Sequence, residues 1–378
     1  MRFFLLLLGL IMHGLLQGQT SRFAVIGDYG WSGQPEADVA NMVRSWNPNL
    51  VITVGDNNYD NGSASTIDVN IGQYYHQFIS PYVGGYGQGD TVNRFFPALG
   101  NHDWVAAGAI PYLDYFTLPG NERYYDFVRG DVHFFSIDSD THEPDGTTNS
   151  SVQGQWLQSR LATSTARWRI VYFHHPPYSS GTTHGSTTYM RWPFQQWGAS
   201  VVLSGHEHIY ERLVINNFPY IVNGLGGRSL YPFGTPLAGS EARYNANYGA
   251  MLVTATPDSM VFTCYSRTGL LVDRYTLRAN PTGVKDKPTK DKGFNLEQNY
   301  PNPFNPSTGI GFHISHVGFV SLKVRDVLGR EIEILVEETR HPGTYSVQWD
   351  ATGRASGVYF YSLSTEATTQ TRMMMLVR

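Results

Sequence analysis

The chain has 378 residues, a formal net charge of −4 and one cysteine, Cys264. Its apolar and charged fractions are those of a globular protein, and its length suits two domains. The absence of a basic stripe argues against nucleic acid as a partner, and a lone cysteine excludes an intrachain disulfide.

Residues 1–18 read as a signal peptide. Arg2 supplies a positive start, residues 3–16 are almost wholly apolar, and the small residue Gly18 precedes Gln19. The run is short for a membrane span, so an uncleaved anchor is the alternative. Five short apolar runs follow, at residues 23–26, 50–54, 95–99, 170–173 and 201–203. Their length and β-branched content predict buried strands. Residues 36–46 and 153–164 predict helices, so residues 19–278 are expected to form an α/β domain. Strand signals at 124–138, 220–223 and 250–277 lie closer together and predict sheets of mixed direction. Residues 279–293 hold two prolines and alternating charges and predict a solvated linker. Residues 294–378 alternate apolar and polar positions, notably at 319–324 and 358–363, and predict a small all-β sandwich.

The five runs share a property: each leads into a residue able to bind metal. They run into Gly27-Asp28, Gly55-Asp56, Gly100-Asn101-His102-Asp103, His174, and Ser204-Gly205-His206-Glu207-His208. In open α/β sheets ligands bind beyond the carboxyl ends of strands, where glycine permits the sharp turn back. One Gly-Asp pair is an ordinary turn; five such ends in one chain predict a shared site. Asp28, Asp56 and Asn101 offer oxygen, and His174, His206 and His208 offer imidazole nitrogen. That mixture suits Zn, Fe or Mn better than Ca or Mg. Six or seven donors suit two ions roughly 3.5–4 Å apart that share a bridging carboxylate. His175 competes with His174, since adjacent strand residues face opposite sides.

The blocks Gly27-Asp28-Tyr29-Gly30, Gly55-Asp56-Asn57-Asn58-Tyr59, Gly100-Asn101-His102-Asp103, Val171-Tyr172-Phe173-His174 and Gly205-His206-Glu207-His208 resemble, in order, the five motifs of the purple acid phosphatases. These belong to the calcineurin-like metallophosphoesterases, and the resemblance spans roughly residues 21–278. It implies a metallophosphoesterase α/β sandwich of mixed sheets and a binuclear centre. Asp28, Tyr59 and His208 would hold Fe(III); Asn101, His174 and His206 would hold a divalent Fe, Zn or Mn; Asp56 would bridge. His102 would bind phosphate and act as general acid, oriented by Asp103, while a metal-bound hydroxide attacks phosphorus. His184 lies where family members carry a phosphate-binding histidine, with an ordinary loop residue as the alternative. The chain has the size of the small members, yet His206-Glu207-His208-Ile209-Tyr210-Glu211-Arg212 resembles the larger plant-type enzymes. The expected substrate is a small-molecule or protein phosphomonoester. The rivals are a phosphodiesterase or nucleotide pyrophosphatase of the same superfamily, and a non-catalytic surface-binding protein.

Residues 294–378 resemble the sorting domain of the type IX secretion system. The resemblance is carried by Asn299-Tyr300-Pro301-Asn302-Pro303-Phe304-Asn305-Pro306-Ser307-Thr308, by Asp326-Val327-Leu328-Gly329-Arg330, and by Ser356-Gly357-Val358-Tyr359-Phe360-Tyr361. It implies passage through the periplasm, the type IX machinery as partner, and an extracellular or outer-membrane-surface location. An adhesive or carbohydrate-binding sandwich is the alternative.

Overall fold

The structure is a computed structural model that describes residues 20–279, 294–299, 301–327, 329–365 and 369–377. The expected leader at 1–18, and all of the expected linker except Ala279, lie outside the described residues. The chain divides into two compact units, Met1–Thr282 and Gly283–Arg378.

The first unit contains thirteen strands among its described residues. These are β1 (Ser21–Ile26), β2 (Leu50–Thr53), β3 (Phe95–Pro97), β4 (Tyr125–Arg129), β5 (Val132–Ser136), β6 (Trp168–Tyr172), β7 (Val201–Ser204), β8 (Tyr210–Ile215), β9 (Phe218–Asn223), β10 (Ser240–Tyr244), β11 (Gly249–Ala255), β12 (Ser259–Ser266) and β13 (Leu271–Arg278). They form two mixed sheets, ordered β13-β12-β11-β1-β2-β3 and β10-β8-β9-β7-β6-β5-β4. In the first sheet β1, β2 and β3 run parallel; in the second β5, β6, β7 and β9 do.

The sheets pack face to face. Phe23 of β1 meets Phe134 of β5 edge-on, with ring centroids 5.0 Å apart. Alternation along β6 sorts its side chains into two cores. Ile170 and Tyr172 join the core that also holds Phe23, Val25 and Ile52, while Val171 and the following Phe173 pack with Leu157 and Leu161 of the helix Val152–Thr163. Strand β3 stops at Pro97, two residues before its predicted end, and Asn101–Val105 is a short helix. Pro97 lacks the N–H a longer ladder needs and sits on an edge strand, where proline is tolerated.

Among the described residues of the second unit, the strands pair antiparallel. Its strands are β14 (Phe294–Leu296), β15 (Ser307–Ile314), β16 (Gly318–Asp326), β17 (Glu331–Arg340), β18 (Gly343–Asp350), β19 (Gly357–Ser364) and β20 (Thr369–Leu376). They form sheets β14-β15-β18 and β17-β16-β19-β20 over a core that includes Phe312, Leu322, Trp349 and Tyr361. The alternating burial of β15, one residue in and one out, is what its apolar-polar pattern requires.

Candidate metal centre

Parallel strands β1, β2, β6 and β7 all end at one edge of the sandwich, and the candidate ligands follow those ends. Asp28, Asp56 and His206 have φ of 55°, 53° and 69°, in the left-handed region that non-glycine residues seldom adopt. Such strain persists where surrounding structure fixes it, and it is concentrated at functional sites. The backbone N–H of His206 donates to both Asp28 carboxylate oxygens, at 3.0 and 3.1 Å. Gly55 makes room for a ligand: a Cβ there would stand 2.5 Å from His174 Nδ1.

Two trios of donors converge, Asp56-His174-His206 and Asp28-Asp56-His208, with donor atoms within 4.8 Å of one another and Asp56 common to both. Asn101 Oδ1 lies 3.1 Å from His174 Nε2, which lies 3.3 Å from Asp56 Oδ2 and 3.1 Å from His206 Nδ1. On the other side the Tyr59 hydroxyl donates to Asp56 Oδ2 at 2.9 Å and lies 3.0 Å from His208 Nε2, itself 3.3 Å from Asp28 Oδ1. All seven candidate ligands therefore meet in one cluster. His174 Nδ1 faces the Val54 carbonyl at 2.9 Å and His208 Nδ1 faces the Ser229 carbonyl, which leaves each Nε2 aimed inward. His175 instead pairs with Ser139, through Nδ1 at 2.9 Å.

The electrostatics call for a cation. Burial, then the neighbouring charges of His174, His175 and His184, hold His206 well below the usual histidine range, so its imidazole is neutral with a lone pair to offer. Burial opposes charge on His174, but the Asp56 carboxylate wins and raises it to about 10. Burial, followed by Asp56 and Asp28, pushes the Tyr59 phenol well above its ordinary value. Carboxylates, amide oxygen and imidazole nitrogens facing one another at hydrogen-bond distance make a donor set that fits two transition-metal ions.

His102 lies at the opening. Its backbone N–H donates to Asp56 Oδ1 at 3.0 Å, its ring lies 4.4 Å from that of Tyr59, and Nε2 is 3.9 Å from Asp56 Oδ2. Its Nδ1 contacts the Asp60 carbonyl. The expectation that Asp103 orients this ring needs correction. Asp103 is buried and accepts from the Gly100 N–H at 2.9 Å and the Asn57 side chain at 2.8 Å, so it braces the loops around Asp56; Asp60 holds the histidine. Burial first, and Asp56 second, push the Asp103 carboxyl up to about 7. The His184 ring stacks on His206, with centroids 4.0 Å apart. Tyr112, Tyr115 and Phe116 pack in the core, and Trp104 donates to Asp138.

Three residues beside the site were not singled out from sequence. Glu207, fully buried between two ligands, accepts the N–H of His184 at 2.6 Å and that of Gly185. Tyr231 stacks on His208, with centroids 3.9 Å apart. Arg228 donates its backbone N–H to the Asp28 carbonyl at 3.0 Å. An acid inside the histidine motif, and an arginine closing the glycine-rich run from Gly224, were the available signals.

Residues 21–210 match a family model described as calcineurin-like phosphoesterase. The chain belongs to that family. Within this phosphoesterase family it is similar to purple acid phosphatase 23 of Arabidopsis thaliana, at 26% identity over 51% of this chain and 47% of that protein. Purple acid phosphatase 4 of the same plant is 25% identical over 61% of this chain and 76% of its own length. The chain thus spans about half the length of the larger curated relative. Among solved structures, a purple acid phosphatase from yellow lupin seeds superposes with a TM-score of 0.57 at 17% identity, covering 69% of this chain and 54% of that one. GAP50, described as the anchor in the inner membrane complex of Plasmodium, also has a TM-score of 0.57, at 20% identity over 69% of this chain and 89% of its own. At these identities the structural likenesses show the phosphoesterase fold alone.

Residues 298–377 match a secretion system C-terminal sorting domain, which indicates a secreted or surface protein. Among the described residues no helix is long and apolar enough to cross a membrane.

Proposed function

We propose that the first unit hydrolyses phosphomonoesters at a binuclear Fe(III)–M(II) centre, as an acid phosphatase, and that the second unit addresses it to the type IX secretion machinery after periplasmic passage. One observation carries the reading: two donor trios share Asp56, and the Tyr59 hydroxyl lies 2.9 Å from that shared carboxylate. A phenolate is a hard anionic donor suited to Fe(III). Asp28, Tyr59 and His208 would hold that ion; Asn101, His174 and His206 would hold the divalent one; Asp56 would bridge. Bound there, the pair would supply positive charge to the phosphate oxygens and lower the pKa of water.

The chain's own groups do the rest. His102 presents Nε2, because Nδ1 is engaged by the Asp60 carbonyl, and an imidazolium there can protonate a departing alkoxide. The side chain of Asp103 keeps Asn57 and Gly100, and through them the bridging carboxylate, in place. His184, carried by the loop that Glu207 grips, faces the ligand cluster from the side of His206 and would orient a phosphate oxygen.

The test is metal analysis of the purified protein with its visible spectrum, alongside turnover of 4-nitrophenyl phosphate and of bis(4-nitrophenyl) phosphate at acidic pH. Iron, a visible band and preference for the monoester are expected. A colourless, iron-free protein with full activity would overturn the ferric assignment, and preference for the diester would favour the phosphodiesterase reading.

A further inference from the structure

Arg228 lies one ring away from the ligand cluster. Its guanidinium carbon is 5.3 Å from the centroid of Tyr59, whose hydroxyl is among the candidate ligands, and 4.3 Å from the ring of Trp31. The guanidinium pairs with Asp60 at 3.1 Å, through side chains that are 30% and 54% exposed. Asp60 is also the residue whose carbonyl engages His102. A proton donor and a cation thus hang from one residue at the lip of the site. Trp31 is 41% exposed, and among the described residues it is the only tryptophan classed with the exposed side chains.

We infer that Arg228 and Trp31 form a subsite for the part of the substrate beyond the scissile phosphate, and that it selects nucleoside diphosphates. The inference rests on the phosphohydrolase reading above and names its substrate class. An exposed arginine–aspartate pair is worth little, so a phosphoryl group can replace Asp60 on the guanidinium at small cost. The guanidinium fork matches phosphate oxygens in a way that a buried structural arginine could not exploit. The guanidinium covers one face of the indole, and the exposed remainder of Trp31 offers its other face as a rigid apolar platform on which a planar base can stack. In the step itself, water oxygen bonds to the terminal phosphorus and the bond from that phosphorus to the bridging oxygen breaks, its electron pair staying on the bridging oxygen. The products are orthophosphate, which keeps one proton of the water, and the nucleoside monophosphate; the second proton passes to solvent. Such a leaving group needs charge neutralisation more than protonation, and a fixed cation supplies it.

The experiment uses the full chain with Arg228→Gln, Arg228→Lys and Trp31→Ala. Turnover of ADP, pyrophosphate and 4-nitrophenyl phosphate is measured, together with calorimetric binding of the α,β-methylene analogue of ADP. Thermal melting and metal content establish that each variant is folded and loaded. Arg228→Gln should cut the ratio of kcat/KM for ADP over 4-nitrophenyl phosphate by about 10- to 100-fold, the range for losing a hydrogen bond to a charged group, with pyrophosphate falling in parallel. Arg228→Lys should retain part of the preference. Trp31→Ala should lower ADP turnover and analogue affinity while sparing pyrophosphate. A ratio within twofold of the parent in Arg228→Gln, or undiminished analogue affinity, overturns the subsite. If the parent hydrolyses none of the three substrates yet loses analogue affinity on Arg228→Gln, the phosphatase reading falls and the subsite stands.

Discussion

The Glu207 carboxylate accepts the backbone N–H of His184 at 2.6 Å, so a residue flanked by two candidate metal ligands anchors the loop that carries the third histidine wall of the cleft. Gly181 allows this, because a Cβ there would come within 2.3 Å of the Glu207 carboxyl carbon. Glu207→Ala removes the anchor. The expected result is a five- to twentyfold rise in KM and in the inhibition constant for orthophosphate, roughly the loss of one to two ordinary hydrogen bonds, with a smaller change in kcat. Glu207→Gln, which keeps one acceptor, should recover part of it. A uniform fall in kcat at unchanged KM would assign Glu207 to ligand geometry instead.

His102→Ala separates proton donation from binding. Alkyl phosphates, whose alkoxide leaves poorly, should lose about 10²–10⁴-fold in kcat, the usual contribution of a general acid. An aryl phosphate needs little protonation and should lose far less. Equal losses on both would assign the acid elsewhere.

Tyr59→Phe tests the ferric ion directly. The visible band of the oxidised protein should vanish while iron stays bound to the carboxylate and histidine donors. A band of unchanged position and intensity would mean that Tyr59 packs against the centre without ligating it.

Glu36 gives a pH prediction away from the site. It is fully buried on the helix Gln34–Ser45, and neither carboxylate oxygen has a hydrogen-bond partner among the described residues. Burial raises its pKa well above the ordinary value. The folded protein therefore holds a proton that the unfolded chain releases above pH of about 4.3. Stability from this group is fully present below that pH and is lost as pH rises toward the folded-state pKa. Relative to Glu36→Gln, the parent should lose up to about 1.4 kcal/mol per pH unit in that window. Denaturation midpoints for both proteins between pH 4 and 8 measure it; parallel curves would show that Glu36 is not titrating.

The two units each have their own core, so a chain ending at Thr282 should fold, bind metal and hydrolyse 4-nitrophenyl phosphate within about twofold of full length, as expected of independent domains. In the native host it should remain in the periplasm. Normal surface display of the truncated chain would remove the sorting role of the second unit.

The candidate donor residues were legible because local chemistry marks them. Asp28 and Asp56 follow glycines at the ends of β-branched runs, and His206 and His208 bracket a single residue. The choice between His174 and His175 needed the fold. Tyr172 packs between the sheets and Phe173 packs under a helix, and His174 continues on the Tyr172 side. The pairing of β1 with β11 joins Val25 to Met251, a contact no local pattern encodes. Asp103 shows the other limit: an acid next to His102 in sequence turns its carboxylate toward Gly100 and Asn57, because the short helix Asn101–Val105 separates neighbouring side chains by about 100°.

Asp28, Asp56, Tyr59 and Asn101 all belong to the connections that follow β1, β2 and β3, whereas His174, His206 and His208 follow β6 and β7. The candidate oxygen donors thus come from one layer of the sandwich and the candidate nitrogen donors from the other. Any sliding of one layer against the other would pull the two chemistries apart, so affinity for an ion and cohesion of the layers are a single linked equilibrium. Substitutions deep between the sheets, at Phe23 or Phe134, are therefore expected to lower ion affinity together with stability, although neither side chain is among the candidate donors.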